Sequence, residues 1–491
     1  MTTTRQQRAR TRRVLAGVAA SCLVFAACSN SSDDDAATTD APAGTEAVDT
    51  TPADTTADTT ADTTAETTAD TTADTTADTE PVDTEPDIGT FEAVEGVPGV
   101  TDEAINFAVL GTGPSNPLGY CLLDCFAGGV QAYFDYQNSL GGVNGRDLVI
   151  SRTDDDEVGN TQVKSLELIE DDSIFGIFGA PLQYAGWADI GAAGVPLYTT
   201  FPASGEANGF DNIYVPTGTQ CLDCATPSAV QAANLVGATT AASIGFGVSQ
   251  ASKDCANRTK SDFETFGPGV GITFGYLNDD LPFGFPNGLA PEVTAMKEAG
   301  VDFISTCIDQ NSVLVLENEL QKQGMDDVVV ALPQGYADSE FISTNAELLE
   351  GDIMGVPYRP FEADPGDSNI QVMLDAFETS GIQINDYAIQ GWFGAQLAAQ
   401  GIIAAGPQFD RASVVAATNG FTDWTSMGMT PTVDWSTAHN APVQGDPFTF
   451  CMTYVKVVGG AFEMVTDPAT PWDCFDLPAD AWTDPTPTNF D

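Results

Sequence analysis

From residue 104 onwards, short apolar runs alternate with amphipathic stretches of helical length. Such runs are typical of strands buried on both faces of a parallel sheet. The predicted strands are Ile105–Leu110, Leu148–Arg152, Ile174–Phe178, Val195–Thr199, Ser243–Val248, Ile272–Leu277, Phe303–Ile308 and Val328–Leu332. The predicted helices between them are 121–139, 160–171, 227–238, 291–299 and 311–323. Because parallel strands need crossover connections, the alternation predicts an α/β fold with doubly wound, Rossmann-like sheets. Two groups of four strands exceed what one core needs, so we expect two lobes.

The first 28 residues have the three parts of an export signal. Five arginines come first, and the apolar stretch from Val14 to Ala27 is too short to span a bilayer. Small residues then precede Cys28, which resembles the lipobox of bacterial lipoproteins, with Phe25 where leucine is usual. The resemblance implies a signal peptide over 1–27, cleavage before Cys28 and a lipid on its thiol. Ordinary cleavage after Ala27, which would release the protein, is the alternative.

Residues 28–100 are predicted to form a disordered acidic tether. Between residues 51 and 79 the sequence repeats Thr-Thr-Ala-Asp, so an acid stands at every fourth position. In a helix these acids would share one face and repel each other, and threonine is a poor helix former. The apolar content is also too low to offset the entropy cost of ordering. Glycosylation of the threonines is left open.

The charge of the chain limits its partners. There are 16 Lys+Arg against 71 Asp+Glu, a net charge of −55. This excludes nucleic-acid binding, because the phosphate backbone could not be neutralised. We expect membrane contact only through the lipid on Cys28, and a soluble monomer kept apart by self-repulsion. With one histidine, His439, mechanisms that need two histidines are excluded.

Eight cysteines remain after signal removal, and an even number in an exported chain predicts disulfides. They are Cys121, Cys125, Cys221, Cys224, Cys255, Cys307, Cys451 and Cys474. Closeness in the chain favours pairing Cys451 with Cys474, and a shared lobe favours Cys255 with Cys307; the other four then pair among themselves. Those four also have the spacing of a zinc site, an alternative that an oxidising compartment disfavours. We expect no metal and no cofactor.

One segment resembles a known family closely. Residues 138–146 read Asn-Ser-Leu-Gly-Gly-Val-Asn-Gly-Arg and are followed by an apolar strand and Asp154-Asp155. This resembles the signature of the branched-chain amino acid (Leu/Ile/Val) type of periplasmic binding proteins. Weaker matches follow at Ile174–Gly179, at Gly194–Leu197 and in the Ala-rich stretch Tyr387–Gly406.

The resemblance covers roughly residues 104–465 and implies a type I solute-binding protein of an ABC transporter. Its two lobes would be joined by a three-crossing hinge and would close on a small ligand. The implied division of the chain is 101–225 and 356–430 for the first lobe, and 226–355 and 431–491 for the second.

In open α/β sheets, ligands bind beyond the carboxyl ends of the strands. That rule selects loops in both lobes, and the resemblance implies the same loops. The candidate ligand-binding residues are Tyr120, Ala180, Gln183, Tyr184, Thr199, Thr200, Phe201, Ser204, Asp309, Gln334 and Tyr336. The hydroxyls suit a carboxylate, and the aromatic rings suit apolar walls. Each of these residues also fits a plain turn or core position.

The second lobe departs from the family pattern. Amino-acid binders of the family place an acid where this sequence has Gln334. A buried ammonium without a counter-charge would cost several kcal/mol. Either Asp309 takes that role, or the ligand has no ammonium group and is an amide, a urea or a carboxylate.

These observations predict a lipid-anchored, extracytoplasmic solute-binding protein that delivers a small polar ligand to the permease of an ABC importer. A ligand-binding sensor or adaptor without a transporter is the alternative. A secreted hydrolase is a more distant one, because the sequence has no Gly-x-Ser-x-Gly, P-loop or Ser-x-x-Lys motif. We therefore expect no enzymatic activity.

Overall fold

The computed structural model describes residues 88–114, 116, 121–200, 205–218, 225–333, 335–366, 368–440 and 448–477. The predicted signal peptide, Cys28 and most of the predicted tether lie outside the described residues. All described residues belong to one compact unit, Val82–Asp491.

The strands are β1 (Ala104–Gly111), β2 (Asp147–Asp155), β3 (Gly176–Ala180), β4 (Leu197–Thr199), β5 (Ile213–Tyr214), β6 (Thr240–Phe246), β7 (Thr273–Leu281), β8 (Phe303–Cys307), β9 (Val329–Ala331), β10 (Ile353–Val356), β11 (Phe448–Val458), β12 (Ala461–Met464) and β13 (Asp473–Leu477). The helices are α1 (Leu123–Ser139), α2 (Thr161–Ile169), α3 (Trp187–Ala193), α4 (Ser228–Leu235), α5 (Gln250–Val270), α6 (Ala290–Ala299), α7 (Gln310–Lys322), α8 (Ser339–Thr344), α9 (Ile370–Ser380), α10 (Asp386–Ala405) and α11 (Arg411–Thr418).

The first lobe is built on a parallel sheet of order β2-β1-β3-β4-β5. Strand β1, which lies between β2 and β3, is almost wholly buried, because helices cover both faces. Helices α1 and α10 pack on one face, and α2 and α3 on the other. Glycine lets α1 and α10 approach closely: a Cβ on Gly129 would lie 1.8 Å from the backbone oxygen of Ala388.

The second lobe is built on a sheet of order β12-β11-β10-β9-β8-β6-β7, with β13 paired to β11. Strands β6 to β10 are parallel, whereas β11, β12 and β13 pair antiparallel. The hairpin between β11 and β12 turns at Gly459 and Gly460, both with positive φ. The predicted fold class, α/β with two Rossmann-like lobes, is confirmed.

Three disulfides are described: Cys121–Cys125, Cys255–Cys307 and Cys451–Cys474. The last two match the favoured pairings, while Cys221 and Cys224 lie outside the described residues. The Cys121–Cys125 bond engages two of the four sulfurs that the zinc alternative requires. Within the described ranges, no cluster of three or more His, Cys, Asp or Glu side chains is placed to hold a metal ion. The helices of the same ranges include none with the length and apolar character of a membrane span.

Residues 88–100, called the N-terminal strap here, are bound to the first lobe. The backbone oxygen of Ile88 accepts a hydrogen bond from the Asn144 backbone N–H (2.7 Å). The Arg146 guanidinium donates to the Glu92 backbone oxygen (2.7 Å) and lies 4.6 Å from the centre of the Phe91 ring. Because β2 begins directly after Arg146, the strap lies at the amino ends of the strands.

Candidate ligand-binding crevice

The loops after β1, β3 and β4 are joined by hydrogen bonds at the carboxyl ends of the strands. The Thr112 hydroxyl accepts from the Leu182 N–H (2.7 Å), and the Thr112 N–H donates to the Ala180 oxygen (3.2 Å). The Thr199 hydroxyl and the Thr200 N–H both donate to the Gly179 oxygen, at 3.0 and 3.1 Å. These three loops form one wall, as the rule for open sheets predicts.

Tyr184 and Thr200 form a hydroxyl pair on this wall. Their side-chain oxygens lie 2.9 Å apart, and the Tyr184 ring packs edge-on against Trp187. Burial raises the pKa of Tyr184 to about 12, and the hydrogen bond with Thr200 only partly opposes that shift. The phenol therefore stays neutral and can donate or accept. Of the other predicted residues on this wall, Ala180 is buried and Gln183 is exposed.

Asp155 of the family-like motif and the next residue, Asp156, hold the loops after β1 and β2 in place. One Asp155 oxygen accepts from the N–H groups of Gly113 (2.9 Å) and Glu157 (2.8 Å). Asp156 accepts from the hydroxyl of Thr161 at 2.7 Å. Asp155 therefore fixes the β1 loop from the neighbouring strand, which gives the Asp-Asp motif a structural role.

In the second lobe, Asp309 is the N-cap of α7. One of its carboxylate oxygens accepts from the Ser312 N–H (3.1 Å) and the other from the Ser312 hydroxyl (2.6 Å). The side chain is buried. Each oxygen keeps a lone pair, so the cap does not prevent Asp309 from accepting from a ligand.

Tyr336 joins a cluster of acids and phenols at the second crossing between the lobes. Its hydroxyl donates to Glu362 (2.8 Å), and its ring packs against Tyr358 at 5.7 Å. The Tyr358 hydroxyl donates to Asp386, which also accepts from the Gly335 N–H (3.1 Å). Asp386 is the first residue of α10, so this cluster links a loop of the second lobe to a helix of the first.

Burial raises the pKa of Asp386 to about 6, against the opposing hydrogen bonds from Tyr358 and Gly335. Burial also raises the pKa of Glu362. In the described part of the chain, no Lys or Arg forms an ion pair with either acid. The cluster thus places two acids, whose charged forms burial disfavours, where a loop of the second lobe meets α10. The sequence analysis selected neither Glu362 nor Asp386. The signal available for Asp386 was its position at the start of the long Ala-rich helix.

Four predicted ligand residues, Tyr120, Phe201, Ser204 and Gln334, lie outside the described residues. The remaining seven fall on strand-end loops of the two lobes. The first lobe brings together Thr199, Thr200, Tyr184 and Ala180. In the second lobe, Asp309 and Tyr336 belong to different loops.

A family model described as periplasmic binding protein matches residues 113–461, more than half of the chain. The chain belongs to the periplasmic binding protein family. The resemblance found in the sequence is confirmed, and this periplasmic binding protein is an extracytoplasmic solute-binding protein and not an enzyme. A comparison with curated proteins gives no match.

Solved structures share the fold of this periplasmic binding protein. A putative branched-chain amino acid ABC transporter protein from Rhodospirillum rubrum is 16% identical over 74% of this chain and 99% of its own, with a TM-score of 0.53. A substrate-binding protein from Streptococcus pneumoniae in complex with isoleucine is 16% identical over 74% and 97%, with a TM-score of 0.55. A solute-binding protein from R. palustris in complex with benzoate is 15% identical over 75% and 97%, also with a TM-score of 0.55. At these identities the likeness shows the fold alone.

Proposed function

We propose that this protein is a lipid-anchored receptor that captures a small polar ligand between its lobes and delivers it to the permease of an ABC importer. The observation that carries the proposal is the Tyr184–Thr200 hydroxyl pair at the carboxyl end of β4. It is neutral, pre-positioned by neighbouring loops and located where open sheets bind ligands.

The first lobe suits a carboxylate or another oxygen-rich ligand group. Thr199, Thr200 and Tyr184 supply hydroxyls, and none carries a charge that a ligand anion would have to overcome. Neutral hydrogen bonds to a charged group contribute about 1.5–3 kcal/mol each. Loss of one hydroxyl should therefore weaken binding measurably without removing it.

The second lobe decides whether the ligand carries an ammonium group. Gln334 is uncharged, which leaves Asp309 and Glu362 as candidate partners for a positive charge. The two related structures named above illustrate both possibilities, since isoleucine has an ammonium group and benzoate has none. We propose an amino acid held by Asp309 or Glu362, or otherwise an amide, urea or carboxylate that needs neither acid.

Thermal unfolding with a ligand panel tests this proposal. The panel contains amino acids, short carboxylates, amides and ureas. A ligand at a hundred times its dissociation constant adds about 2.7 kcal/mol of stability, a shift of a few degrees for this size. Thr200→Val should weaken binding of the identified ligand about ten- to 150-fold. Thr153→Val, at an exposed position of β2, is the matched control. Equal affinity in both variants would show that the crevice is misassigned.

The same measurement separates the ligand classes. For an ammonium ligand, Asp309→Asn or Glu362→Gln should weaken binding at least about tenfold, because a buried charge would lose its partner. For a ligand without ammonium, both variants should bind like the parent. If neither variant affects an amino-acid ligand, both proposed ammonium partners are wrong.

The anchor and the monomeric state are further parts of the proposal. Cys28→Ser should move the protein from the membrane fraction to the soluble fraction of the producing cells, because the lipid would have no thiol. Sedimentation of the released protein should give the mass of one chain. Membrane retention of the Cys28→Ser variant would refute the anchor.

A further inference from the structure

A cavity of about 620 Å³ lies on the helical face of the first lobe, between α1, α10 and residues 421–427. Its lining includes none of the crevice residues described above. Close to the crevice, α1 and α10 meet near Gly129 and Ala388. The cavity lies two to three turns further along both helices, beside Tyr136 and Gln400. It is therefore separate from the proposed ligand crevice.

Aromatic rings form the walls of this cavity. Tyr133 and Tyr136 line it from α1, and Phe421 and Trp424 from the loop. Both tyrosine rings rest on Trp392, with ring centres 5.0 and 5.8 Å away. The walls are thus held by the core of the lobe and exist before any ligand arrives.

The loop side of the cavity is fixed in an unusual conformation. The Trp424 indole donates to the side-chain oxygen of Gln400 (2.7 Å). Ser426 and Met427 have positive φ values of 45° and 53°. Non-glycine residues in this region cost of order 1–3 kcal/mol each and cluster at functional sites. The loop therefore keeps Trp424 at the cavity in spite of backbone strain.

The charge of the lining has one sign. Asp423, which is exposed, contributes a carboxylate to the lining of the cavity. The described lining contains no Lys, Arg or His. An anion would be repelled by this carboxylate, whereas a cation would be attracted by it and by the face of any lining ring that it contacts. The net charge of −55 adds a long-range attraction of the same sign.

We propose that this cavity binds a small organic cation of the alkylammonium or quaternary ammonium class. Such a cation has a diffuse charge and apolar substituents, so it is only weakly hydrated. Aromatic walls can compensate for the loss of this weak hydration, but not for the loss of the strong hydration of a metal ion. The cavity volume lies within the range of about 300–1,000 Å³ typical of small-molecule sites. Tyr136 and Trp424 contact the cation through their rings, and Asp423 balances its charge at the mouth.

Calorimetric titration of the whole protein with choline tests the proposal, with 3,3-dimethyl-1-butanol as the neutral molecule of the same shape. Choline should bind saturably, and the alcohol at least about tenfold more weakly, because it lacks the charge that the rings attract. Asp423→Asn and Tyr136→Leu should each weaken choline binding about three- to tenfold. Phe283→Leu, which removes an exposed aromatic ring from the second lobe, is the matched control and should bind choline like the parent.

Asp423 is exposed, so its variant should fold even if Tyr136→Leu does not. Absence of saturable choline binding up to about 10 mM, equal binding of choline and the alcohol, or unchanged affinity in Asp423→Asn would each overturn the proposal. Thr200→Val separates this site from the crevice, because it should leave choline affinity unchanged while weakening the crevice ligand. Loss of choline binding in Thr200→Val would place the cation in the crevice instead.

Discussion

Two buried carboxyl groups in the second lobe give the protein a pH-dependent stability. Glu317 on α7 and Asp352, just before β10, are 6% and 3% exposed. Asp352 accepts one hydrogen bond, from the Val330 N–H (2.9 Å). Within the described residues, one oxygen of each carboxyl has no hydrogen-bond partner. Burial raises the pKa of Glu317 to about 8 from an ordinary value of 4.5. Burial and the charge of Glu317 raise the pKa of Asp352.

The direction of the pH dependence follows from these shifts. Between pH 4.5 and about 8 the folded state keeps the Glu317 proton that the unfolded state releases. The stabilisation is therefore complete below about pH 4.5 and is lost as the pH rises through about 8. At 1.36 kcal/mol per pKa unit the loss is on the order of 5 kcal/mol, a large part of a typical folding free energy.

Glu317→Gln should remove this loss, because the amide stays neutral at every pH. We expect urea unfolding midpoints close to those of the parent at pH 5, and at pH 8.5 a variant more stable by several kcal/mol. Glu298→Gln, at an exposed position of α6, should follow the parent at both pH values. A Glu317→Gln variant with the same pH dependence as the parent, or with lower stability at pH 8.5, would refute the reasoning.

Two further variants test the helix packing of the first lobe and a disulfide of the second. Gly129→Ala should destabilise the first lobe by at least about 2 kcal/mol, because its Cβ would meet the Ala388 backbone oxygen. Gly159→Ala, with no atom within 4 Å of the added Cβ, should change the thermal midpoint little, and equal effects would contradict the packing argument. Replacing Cys255 and Cys307 by serine opens a link that spans 52 residues and should cost about 2–4 kcal/mol. Thermal unfolding without reductant measures this, and an unchanged midpoint would show that the link does not stabilise the fold.

Much of the fold was predictable because parallel strands buried on both faces are continuous apolar runs. All eight predicted runs overlap strands of the two sheets. Strand β5 was missed because Ile213–Tyr214 is too short to show any period. Strand β10, Ile353–Val356, was missed because it straddles the expected lobe boundary at residues 355 and 356, and only its pairing with β9 and β11 makes it a strand.

The candidate site was less predictable, since its partners are distant in sequence. The strand-end position of Thr199 and Thr200 follows from the strand pattern alone. By contrast, Glu362 and Asp386 are recognised as site residues only by hydrogen bonds from distant positions. Tyr336 donates to Glu362 from 26 positions earlier, and Tyr358 donates to Asp386 from 28 positions earlier. No local pattern encodes such contacts, because they depend on how the crossings bring the two lobes together.

The N-terminal strap also determines how the protein responds to pulling. The hydrogen bonds described for it, to Asn144 and Arg146, both end on the first lobe. A force applied through the preceding chain is therefore carried into the amino ends of that lobe's strands and is not transmitted across the hinge. The second lobe then lies outside the path of that force. In the anchored protein that we propose, the lobes could therefore open and close as they would in the released protein.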